Sequence, residues 1–596
     1  MEIWFLHNPE RLSQERRAIQ QLAETTEWLQ GIAWGFDGEL NLEATIHVRG
    51  HQYQAKMSYP ALFPAVPPIV QPINPDERWS GHQYANGTLC LEWGPDTWYP
   101  DVTGAQMLES LYKLLHIENP RGANRHEVAP SRHHLTLGQT LRGRYGRFYV
   151  DPEMIAYLRA LPDKTAGALE FSNQWQSKSL LVLIHKLQST EMPAWENIHI
   201  PQGVRGSSDK GTLKRGVFYK TGLDPDTLAS IKEMKDIETV LQQAGYGPMT
   251  FSHGSDNHPL KSDQPPFGIF LLDCVNEPHF FLSFGLDENQ VFHLAPVQSD
   301  ETEHASRTPA NLQALSGKSV GIVGLGSVGS KIALSLARMG VFRFYLVDED
   351  IFLPENVCRH VLDWQNIGEH KVDAVAEILS RVVPNIETDV SHLHLTGQEA
   401  NSSLSSTLNK LGRCDLIIDA TADPNVFNLM AAIAATTHEK PLVWLEVFAG
   451  GVGGMIARSR PGTDPDPYTM RAALHQFTTE TPPPNLSVTT NYAAEDVEGN
   501  VLAASDADVG VLAYHATRLI TDTLTGQESS MFPHSMYLIG LAQSWIFEAP
   551  FHTIPIATSH LLKKTNSPSA SPELLSDNIA FLTELLQEKS DANSPT

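Results

Sequence analysis

The spacing of apolar positions in the N-terminal part of the chain predicts a helix, a pair of strands and a second helix. Apolar residues recur at helical intervals through residues 10–30, which predicts an opening helix. Residues 39–48 and 51–60 are strand-like. Prolines crowd residues 60–75, and because proline cannot donate to a sheet ladder, we expect extended coil or an edge strand there. A second helix is predicted over residues 103–117.

The middle of the chain shows a mixed pattern. Residues 118–150 contain prolines, a glycine and a basic cluster, which is typical of a domain boundary. Within residues 150–310, apolar runs at 179–187 and 267–275 predict buried strands or short helices. Residues 224–247 predict one helix that ends on glycine. This segment contains no motif with evident chemistry, so its role stays open.

From residue 317 onward the pattern is strand, glycine turn, helix and strand, which begins a doubly wound parallel α/β sheet. Residues 415–423 and 441–448 predict further parallel strands. A polar linker over residues 563–576 precedes a last amphipathic helix and a disordered end. We therefore expect an α/β multidomain protein. Its expected parts are residues 1–150, 151–310, 311–562 and 563–596.

Composition narrows the classes of function. The 596 residues suggest about four domains, and 41% hydrophobic with 19% charged residues is typical of globular proteins. The net charge of −26 argues against broad binding of nucleic acids or anionic membranes. The four cysteines form no CxxC pair, so we expect reduced thiols and no structural zinc site of the usual spacing. The sequence shows neither a signal-peptide layout nor a long apolar run, which predicts a cytoplasmic protein without a membrane or nucleic-acid partner.

A glycine-rich turn provides the first candidate site. Gly324, Gly326 and Gly329 follow an apolar strand and open a helix. The first glycine permits a tight turn, the second lets backbone amides approach phosphate oxygens, and the third lets the helix pack closely on the sheet. Asp348 ends the next strand, where a carboxylate can hold a ribose hydroxyl. This pattern favours a nucleotide site, and the alternative is a turn that binds nothing.

Polar residues follow this turn in a fixed order: Asp348 and Asp350, then Asn356 and Arg359, then Gly368 and Lys371, and later Asp423. In this combination, residues 317–450 resemble the adenylation domain shared by ThiF/MoeB proteins and the ubiquitin-activating enzymes. The resemblance implies a Rossmann-like domain, usually a homodimer, that uses ATP and Mg²⁺ to adenylate a carboxylate. It also implies that Asp348, Asp350 and Asn356 contact the nucleotide.

The chemistry of an acyl-adenylate explains the charged residues. A carboxylate attacks the α-phosphate of ATP, and negative charge builds on the phosphoryl oxygens and on pyrophosphate, so cations must converge there. Arg359 and Lys371 are the proposed cations. Asp423 is the proposed Mg²⁺ ligand, and Asp419 is the fallback because the spacing departs by one residue from the family pattern. Taken singly, any of these charges is also explained by a surface ion pair.

Residues 10–120 resemble the ubiquitin-conjugating α+β fold. The features that carry the resemblance are the opening helix, the strand meander, the proline-rich segment, H-x-x-x-N-G-T-L-C-L over residues 82–91, and W-Y-P-D before a helix. The resemblance implies that Cys90 forms a thioester and that His82 and Asn86 support it, although the family's His-Pro-Asn is not intact. The alternative for Cys90 is a buried structural cysteine.

Together the two resemblances imply one pathway. ATP activates the C-terminal carboxylate of a donor protein, the acyl group passes to Cys90, and a target lysine accepts it. The order of domains resembles the fused activating and conjugating enzymes of bacterial anti-phage cyclic-nucleotide (CBASS) operons. In those operons the donor is a cyclic-nucleotide synthase, and related operons supply a ubiquitin-like protein. The sequence leaves the choice of donor open.

One cysteine of those fusions is missing. They carry a second catalytic cysteine after the adenylation core, whereas this chain has none after Cys414. Cys358, beside Arg359, is expected to be a packing residue. We therefore expect direct handover from the adenylate to Cys90, or a thiol on another protein. The remaining alternatives are sulfur-carrier activation of the ThiF/MoeB kind, a nucleotide-binding scaffold with a degenerate conjugating domain, and an NAD(P)-dependent oxidoreductase.

Overall fold

The structure is a computed structural model, and its chain divides into two compact units, Met1–Gly143 and Arg144–Thr596. The residues that it describes are 3–74, 77–80, 83–84, 87–95, 97–122, 138, 141–142, 144–205, 213–247, 267–283, 290–298, 309–395, 401–436, 440–483, 487–490, 493–495, 499–526, 530–561 and 575–584. Each unit is described separately below. No helix in these ranges is long and apolar enough to cross a membrane.

The first unit is an antiparallel meander with helices before and after it. Its elements are α1 (Trp4–His7), α2 (Pro9–Thr25), β1 (Leu29–Phe36), β2 (Leu40–Val48), β3 (His51–Tyr59), β4 (Ile69–Pro72) and α3 (Gly104–Glu118). The strands pair in the order β1-β2-β3-β4. The proline-rich segment provides β4, which is an edge strand as the sequence predicts.

The opening helix is shorter than predicted. The side chain of Asn8 caps its start and Pro9 occupies the first turn. The hydroxyl groups of Thr25 and Thr26 donate to carbonyl oxygens of the last turn, and Thr26 itself is extended. The predicted range of 10–30 is therefore wrong at its end, because β1 already begins at Leu29.

The opening helix α2 carries a buried ion pair whose carboxylate also binds the start of α3. Arg11 and Glu15 lie one helical turn apart, with 2.8 Å between their charged atoms, and both are almost fully buried. The Glu15 carboxylate also accepts the Gly104 backbone N–H at 2.7 Å and the Tyr59 hydroxyl at 2.9 Å. The backbone that starts α3 is thus held by hydrogen bonds as well as by apolar packing.

The second unit begins with a sheet that closes on itself. Its strands are β5 (Gly146–Val150), β6 (Ala166–Gln176), β7 (Ser179–Ser189), β8 (Trp195–Glu196), β9 (Lys214–Lys220), β10 (Phe267–Leu272), β11 (Pro278–Ser283) and β12 (Val291–Gln298). The order is β5-β12-β11-β10-β9-β6-β7-β8, and a further pairing of β5 with β7 closes the ring. Phenylalanines fill its core, so this is a packed barrel.

Within the described part of this region, four helices accompany the barrel: α4 (Pro152–Ala160), α5 (Gln202–Arg205), α6 (Pro225–Ala229) and α7 (Met234–Gln243). The single helix predicted over residues 224–247 is therefore wrong. A capping box between Glu233 and Asp236 starts a new helix at Met234, so the segment folds as two helices. Gly245, with φ of 84°, follows the second helix, which agrees with the predicted glycine stop.

The remaining elements form a larger sheet, a small sheet and their helices. The larger sheet contains β13 (Ser319–Val323), β14 (Arg343–Val347), β15 (Glu387–Ser391), β16 (Leu416–Asp419), β17 (Leu442–Val447), β18 (Gly453–Ser459), β22 (Met536–Gly540) and β23 (Thr553–Pro555). The small sheet contains β19 (Ser487–Thr490), β20 (Ala493–Glu495) and β21 (Val501–Ala503). The helices are α8 (Ser327–Arg338), α9 (Lys371–Val382), α10 (Asn401–Arg413), α11 (Pro424–Thr436), α12 (Pro467–Glu480) and α13 (Asp506–Thr525).

The larger sheet has the predicted doubly wound topology. Five parallel strands lie in the order β15-β14-β13-β16-β17, and β18, β22 and β23 extend the sheet in antiparallel pairing. The strand order reverses between β13 and β16, and ligands of such sheets bind at this point, outside the carboxyl ends of the strands. The parallel strands predicted from residues 415–423 and 441–448 are confirmed as β16 and β17.

Candidate functional site

A cleft of about 780 Å³ opens at the carboxyl ends of the central parallel strands. Its lining includes Gly324, Gly326, Asp348, Asp350, Asn356, Arg359, Lys371 and Asp423. The structure thus brings together residues that span about a hundred positions of the sequence, in one place at the switch point of the sheet. Gly329, the remaining residue predicted here, lies behind the cleft and shapes it.

The glycine turn has the geometry that its sequence predicts. Gly324 has φ of 87°, a backbone conformation that favours glycine. Gly326 is the N-cap residue of α8 and has no side chain to cap the helix, and the start of a helix is a place where backbone N–H groups can bind phosphate oxygens. A Cβ atom on Gly329 would lie 1.9 Å from the Gly324 carbonyl oxygen, so only glycine permits this close packing of helix on turn.

Asp348 fixes the glycine turn from the neighbouring strand. One carboxylate oxygen accepts the Leu325 backbone N–H at 2.6 Å, and the other accepts the Asp350 backbone N–H at 2.8 Å. Burial raises the pKa of Asp348 above its usual range, while these two hydrogen bonds act in the opposite direction. The predicted contact with a ribose stays a prediction, but Asp348 already has a role in shaping the turn.

The two predicted cations are both held in place. The Lys371 Nζ lies 2.6 Å from a carboxylate oxygen of Asp350, and the lysine side chain is 9% exposed. Arg359 donates from its guanidinium to the Ala504 carbonyl oxygen at 3.0 Å. The Asn356 side-chain oxygen accepts the Leu353 backbone N–H at 3.0 Å, which stabilises the loop that carries Arg359. Each charged group therefore reaches the cleft from a fixed backbone.

Two residues that sequence reasoning missed support this arrangement. His360 hydrogen-bonds through Nε2 to the Leu325 carbonyl oxygen at 2.6 Å, and burial lowers its pKa to about 4, so it is neutral. Lys331 is buried on α8, where its Nζ donates to the Arg359 carbonyl oxygen and lies 2.8 Å from an Asp506 carboxylate oxygen. The sequence offered two signals for these residues. His360 directly follows Arg359, and Lys331 stands within an apolar helical stretch.

Asp423 and Asp419 occupy different positions. Asp423 lines the cleft, and its carboxylate accepts the Asn425 backbone N–H at 2.7 Å at the start of α11. Asp419 is 3% exposed and lines a smaller cavity on the other side of Asp423. Its carboxylate accepts the backbone N–H and the hydroxyl of Thr421. Access to the cleft thus favours Asp423 over Asp419 as the carboxylate that meets a nucleotide.

The cysteines differ in exposure. Cys90, in the first unit, is half-buried between two buried leucines, and the predicted supporting residues His82 and Asn86 lie outside the described residues. Cys414 is buried as expected, and burial raises its pKa to about 11. Cys358 is exposed, so its predicted packing role is wrong; its thiol donates to the Glu355 carbonyl oxygen at 3.2 Å.

Comparison with known families agrees with this geometry. Residues 301–525 match the model of the ThiF family. The chain carries a ThiF-family domain. Residues 167–298 match a second model, that of a domain observed between E2 and E1 domains. The segment whose role the sequence left open is therefore a recognised intermediate domain, and most of the closed barrel falls within it, directly before the ThiF domain.

Relatives match mainly over short stretches. A protein called ATP-dependent ubiquitin transferase-like protein Cap2, from Pseudomonas aeruginosa, is 28% identical over 173 residues, which are 28% of this chain and 28% of that protein. Ubiquitin-like modifier-activating enzyme 5 from Drosophila simulans is 32% identical over 152 residues, 24% of this chain and 37% of that protein. The chain thus spans less than two-fifths of either relative's length. A solved structure of E. coli MccB with ATP superposes with a TM-score of 0.32 at 15% identity, covering 42% of this chain and 67% of that one.

Proposed function

We propose that this protein adenylates the C-terminal carboxylate of a donor protein with ATP, holds the acyl group at Cys90 and transfers it to a target lysine. The observation that carries the proposal is the single cleft in which the glycine turn, Arg359, Lys371 and Asp423 meet within a ThiF-family domain. The hydride transfer of an NAD(P)-dependent oxidoreductase assigns no step to Arg359, Lys371 and Asp423. The names of the relatives, a ubiquitin transferase-like protein and a modifier-activating enzyme, support the same chemistry.

The cleft fits ATP and a divalent cation. Its volume of about 780 Å³ lies within the range of small-molecule sites. The start of α8 follows the glycine turn at the edge of the cleft, and we propose that backbone N–H groups of its first turn bind phosphate oxygens. The Asp423 carboxylate is an oxygen donor of the kind that Mg²⁺ prefers, and a bound Mg²⁺ would supply positive charge at the phosphates. Lys371 is buried at the edge of the site, where its Nζ lies 2.6 Å from an Asp350 carboxylate oxygen.

The proposed reaction follows from these charges. A carboxylate oxygen of the donor attacks the α-phosphorus of ATP, an oxygen–phosphorus bond forms, and the bond to pyrophosphate breaks. Arg359 and Lys371 stabilise the negative charge that develops on the phosphoryl oxygens and on the leaving group, and because both are already fixed, little reorganisation is needed. Asp348 and His360 hold the glycine turn in shape throughout.

The first unit is proposed to be the conjugating domain. A helix, a four-stranded antiparallel meander, a cysteine segment and a second helix succeed one another in it. The intermediate domain that follows belongs to a type observed between E2 and E1 domains, which supports an E2-like role for the residues before it. The Cys90 sulfur attacks the acyl-adenylate, AMP leaves, and the lysine amine of a target then displaces the thiolate.

The donor and the biological setting are also proposals. We propose a cyclic-nucleotide synthase or a ubiquitin-like protein as the donor, in bacterial anti-phage defence, with a homodimer as the active form. In the described part of the ThiF domain, Cys414 is buried and Cys358 is exposed beside the cleft. We therefore keep direct handover to Cys90, or a thiol from another protein, as the route.

A non-reducing gel tests the proposal. The purified protein is incubated with ATP, Mg²⁺ and a candidate donor that has a free C-terminus, and is analysed with and without dithiothreitol. We expect a dithiothreitol-sensitive adduct that disappears in Cys90→Ala and persists in Cys274→Ala, a matched control at an exposed cysteine of the barrel. Pyrophosphate exchange without an adduct would indicate sulfur-carrier chemistry or a missing thiol partner. If no donor supports pyrophosphate exchange, the result would favour the alternative that the protein is a nucleotide-binding scaffold.

A further inference from the structure

Three side chains that can bind a metal meet beside the barrel, outside the nucleotide cleft. Asp151 and Glu153 lie at the start of α4, and His199 lies in the segment between β8 and α5. Each offers one nitrogen or carboxylate oxygen, and these three atoms all lie within 4.8 Å of one another. The His199 Nε2 is 3.3 Å from a Glu153 carboxylate oxygen. The fold thus gathers one imidazole and two carboxylates from two separate segments.

Asp151 is the buried member of this group, at 1% exposure. As the N-cap of α4, its Oδ1 accepts the backbone N–H groups of Glu153 at 2.8 Å and Met154 at 3.2 Å. Among the described residues, its Oδ2 accepts no hydrogen bond and no lysine or arginine pairs with it. A buried carboxylate is stabilised by a positive partner. The helix start therefore accounts for one oxygen of Asp151 and leaves the other available to a cation.

The backbone that carries His199 is held against the barrel. Its N–H donates to the Asn197 side-chain oxygen at 2.9 Å, and Asn197 is itself buried. The Asn197 backbone N–H in turn donates to the His185 carbonyl oxygen of β7 at 2.8 Å. The side chains of His199 and Glu153, by contrast, are exposed. A fixed backbone thus brings the imidazole to α4, while both exposed side chains keep the freedom to close around an ion.

The types and spacing of these ligands fit zinc. In a tetrahedral zinc site, bonds of about 2.0–2.2 Å place neighbouring ligand atoms about 3.4 Å apart. The distance between His199 and Glu153 already has this value, and the remaining distances must shorten by at most about 1.4 Å. Two carboxylates balance the charge of a divalent ion, and an imidazole favours zinc over magnesium or calcium. Such a site needs no cysteine, so it is compatible with the absence of a CxxC pair.

We propose that Asp151, Glu153 and His199 bind one zinc ion as a structural site of the barrel region. The three protein ligands leave a fourth position for water. The ion would join the start of α4 to the segment that leads into α5. Gly203 of α5 packs so closely on α9 of the ThiF domain that an added Cβ atom would overlap the Ser380 hydroxyl. The ion would thereby stabilise the segment through which the barrel contacts the ThiF domain.

Titration of the full chain with Zn²⁺ alone tests the proposal, after treatment with EDTA and dialysis. Calorimetry should show one zinc ion bound per chain at this site, and zinc should raise the melting temperature. Glu153→Gln and His199→Gln each remove a ligand, and Asp151→Asn does so while keeping an oxygen that can cap α4. Each variant should bind zinc at least roughly 10- to 100-fold more weakly, since even residues behind the ligands contribute this much. The rise in melting temperature should disappear with it.

His392→Gln is the matched control. The His392 Nε2 lies 2.8 Å from an Asp373 carboxylate oxygen, in an exposed pair that belongs to no three-ligand group of the described residues, so this variant should bind zinc like the wild type. Failure of the wild type to bind zinc would overturn the proposal. Unchanged binding in the three ligand variants, or an equal loss in His392→Gln, would overturn it as well. Because the readout is zinc binding, the result does not depend on the proposed function.

Discussion

Replacing Gly329 with alanine tests whether the glycine turn of the proposed nucleotide site requires glycine at this position. The alanine Cβ would lie 1.9 Å from the Gly324 carbonyl oxygen and 3.3 Å from the Ala420 Cβ atom. Both neighbours are close to the backbone, so neither can rotate away. To restore even a 3.0 Å separation from the oxygen, the start of α8 and the turn must move apart by about 1.1 Å.

Such a displacement has two measurable consequences. Overpacking of a tight interior contact costs roughly 1–3 kcal/mol of stability, which a domain of this size tolerates. The same movement shifts the phosphate-binding amides relative to Arg359 and Lys371, and a misplacement of about 1 Å at a reacting centre lowers rates by roughly 100-fold. We therefore expect a folded Gly329→Ala protein that loses ATP affinity and at least roughly 100-fold of its pyrophosphate exchange.

Calorimetry of ATP binding, exchange rates and thermal unfolding measure these effects. Gly510→Ala is the matched control, because Gly510 also lies near the start of a helix and its added Cβ would meet only the Tyr514 ring, at 3.8 Å. That variant should bind ATP normally and gain up to about 1 kcal/mol, the usual difference between alanine and glycine in a helix. Wild-type ATP affinity in Gly329→Ala would refute the role assigned to the turn.

Three further predictions concern carboxylates and thiols. Asp423→Asn keeps a side-chain oxygen for the start of α11 but removes a charge from the cleft, so pyrophosphate exchange should fall by roughly 100-fold or more; normal exchange would place the metal on Asp419 or elsewhere. Burial raises the pKa of Asp419 to about 6, above its value in the unfolded chain, so the folded state binds this proton more tightly. The protonated carboxyl group therefore contributes fully to the free energy of unfolding below about pH 4, and this contribution is lost as the pH rises through 6. Asp419→Asn should therefore flatten urea-denaturation stability between pH 4 and 7 and add up to roughly 3 kcal/mol at pH 7, and an unchanged pH slope would contradict this. Iodoacetamide should modify exposed Cys358 but spare Cys414, whose pKa burial raises to about 11, and mass spectrometry that finds equal modification of the two would count against the described packing.

The nucleotide cleft was largely predictable because most of its parts are short-range. Ser319 to Asp348 form one strand, turn, helix and strand. Asn356 and Arg359 lie in the loop that follows and Lys371 begins the next helix, so chain connectivity alone brings these residues to one sheet edge. Their residue types then match the chemistry of phosphates. The strand meander of the first unit was predictable for the same reason, since its neighbouring strands are consecutive in sequence.

Contacts between distant segments were not predictable. Arg359 donates to the Ala504 carbonyl oxygen, 145 residues later, and a backbone acceptor leaves no signal in the sequence. Arg471 likewise lines a cavity together with Asp423, from a helix that follows two further strands. The closure of the barrel depends on β5 pairing with β7 and with β12, and no local pattern encodes such parallel partners.

The break in the helix predicted over residues 224–247 is a different case, because a signal was present. Glu233 and Asp236 form a reciprocal capping box, and such a box inside a helical pattern marks the start of a new helix. The apolar spacing continues across the break, since Leu228 and Ile231 pack in the same cluster as Ile237. Periodicity therefore described the buried face correctly while it concealed the interruption of the backbone.

The contacts that hold Arg359 agree with its proposed role as a cation of the nucleotide site. Lys331 of α8 donates to the backbone carbonyl oxygen of Arg359. The Arg359 guanidinium donates to the Ala504 carbonyl oxygen, which lies just before α13. Lys331 also pairs with Asp506, so α8 and α13 are joined through the same network. Electrostatic stabilisation of a transition state depends on groups that need not reorient during the reaction. The helix that follows the glycine turn and the loop that presents Arg359 are joined by this network, so we expect the two parts of the proposed phosphate site to keep their separation when ATP binds.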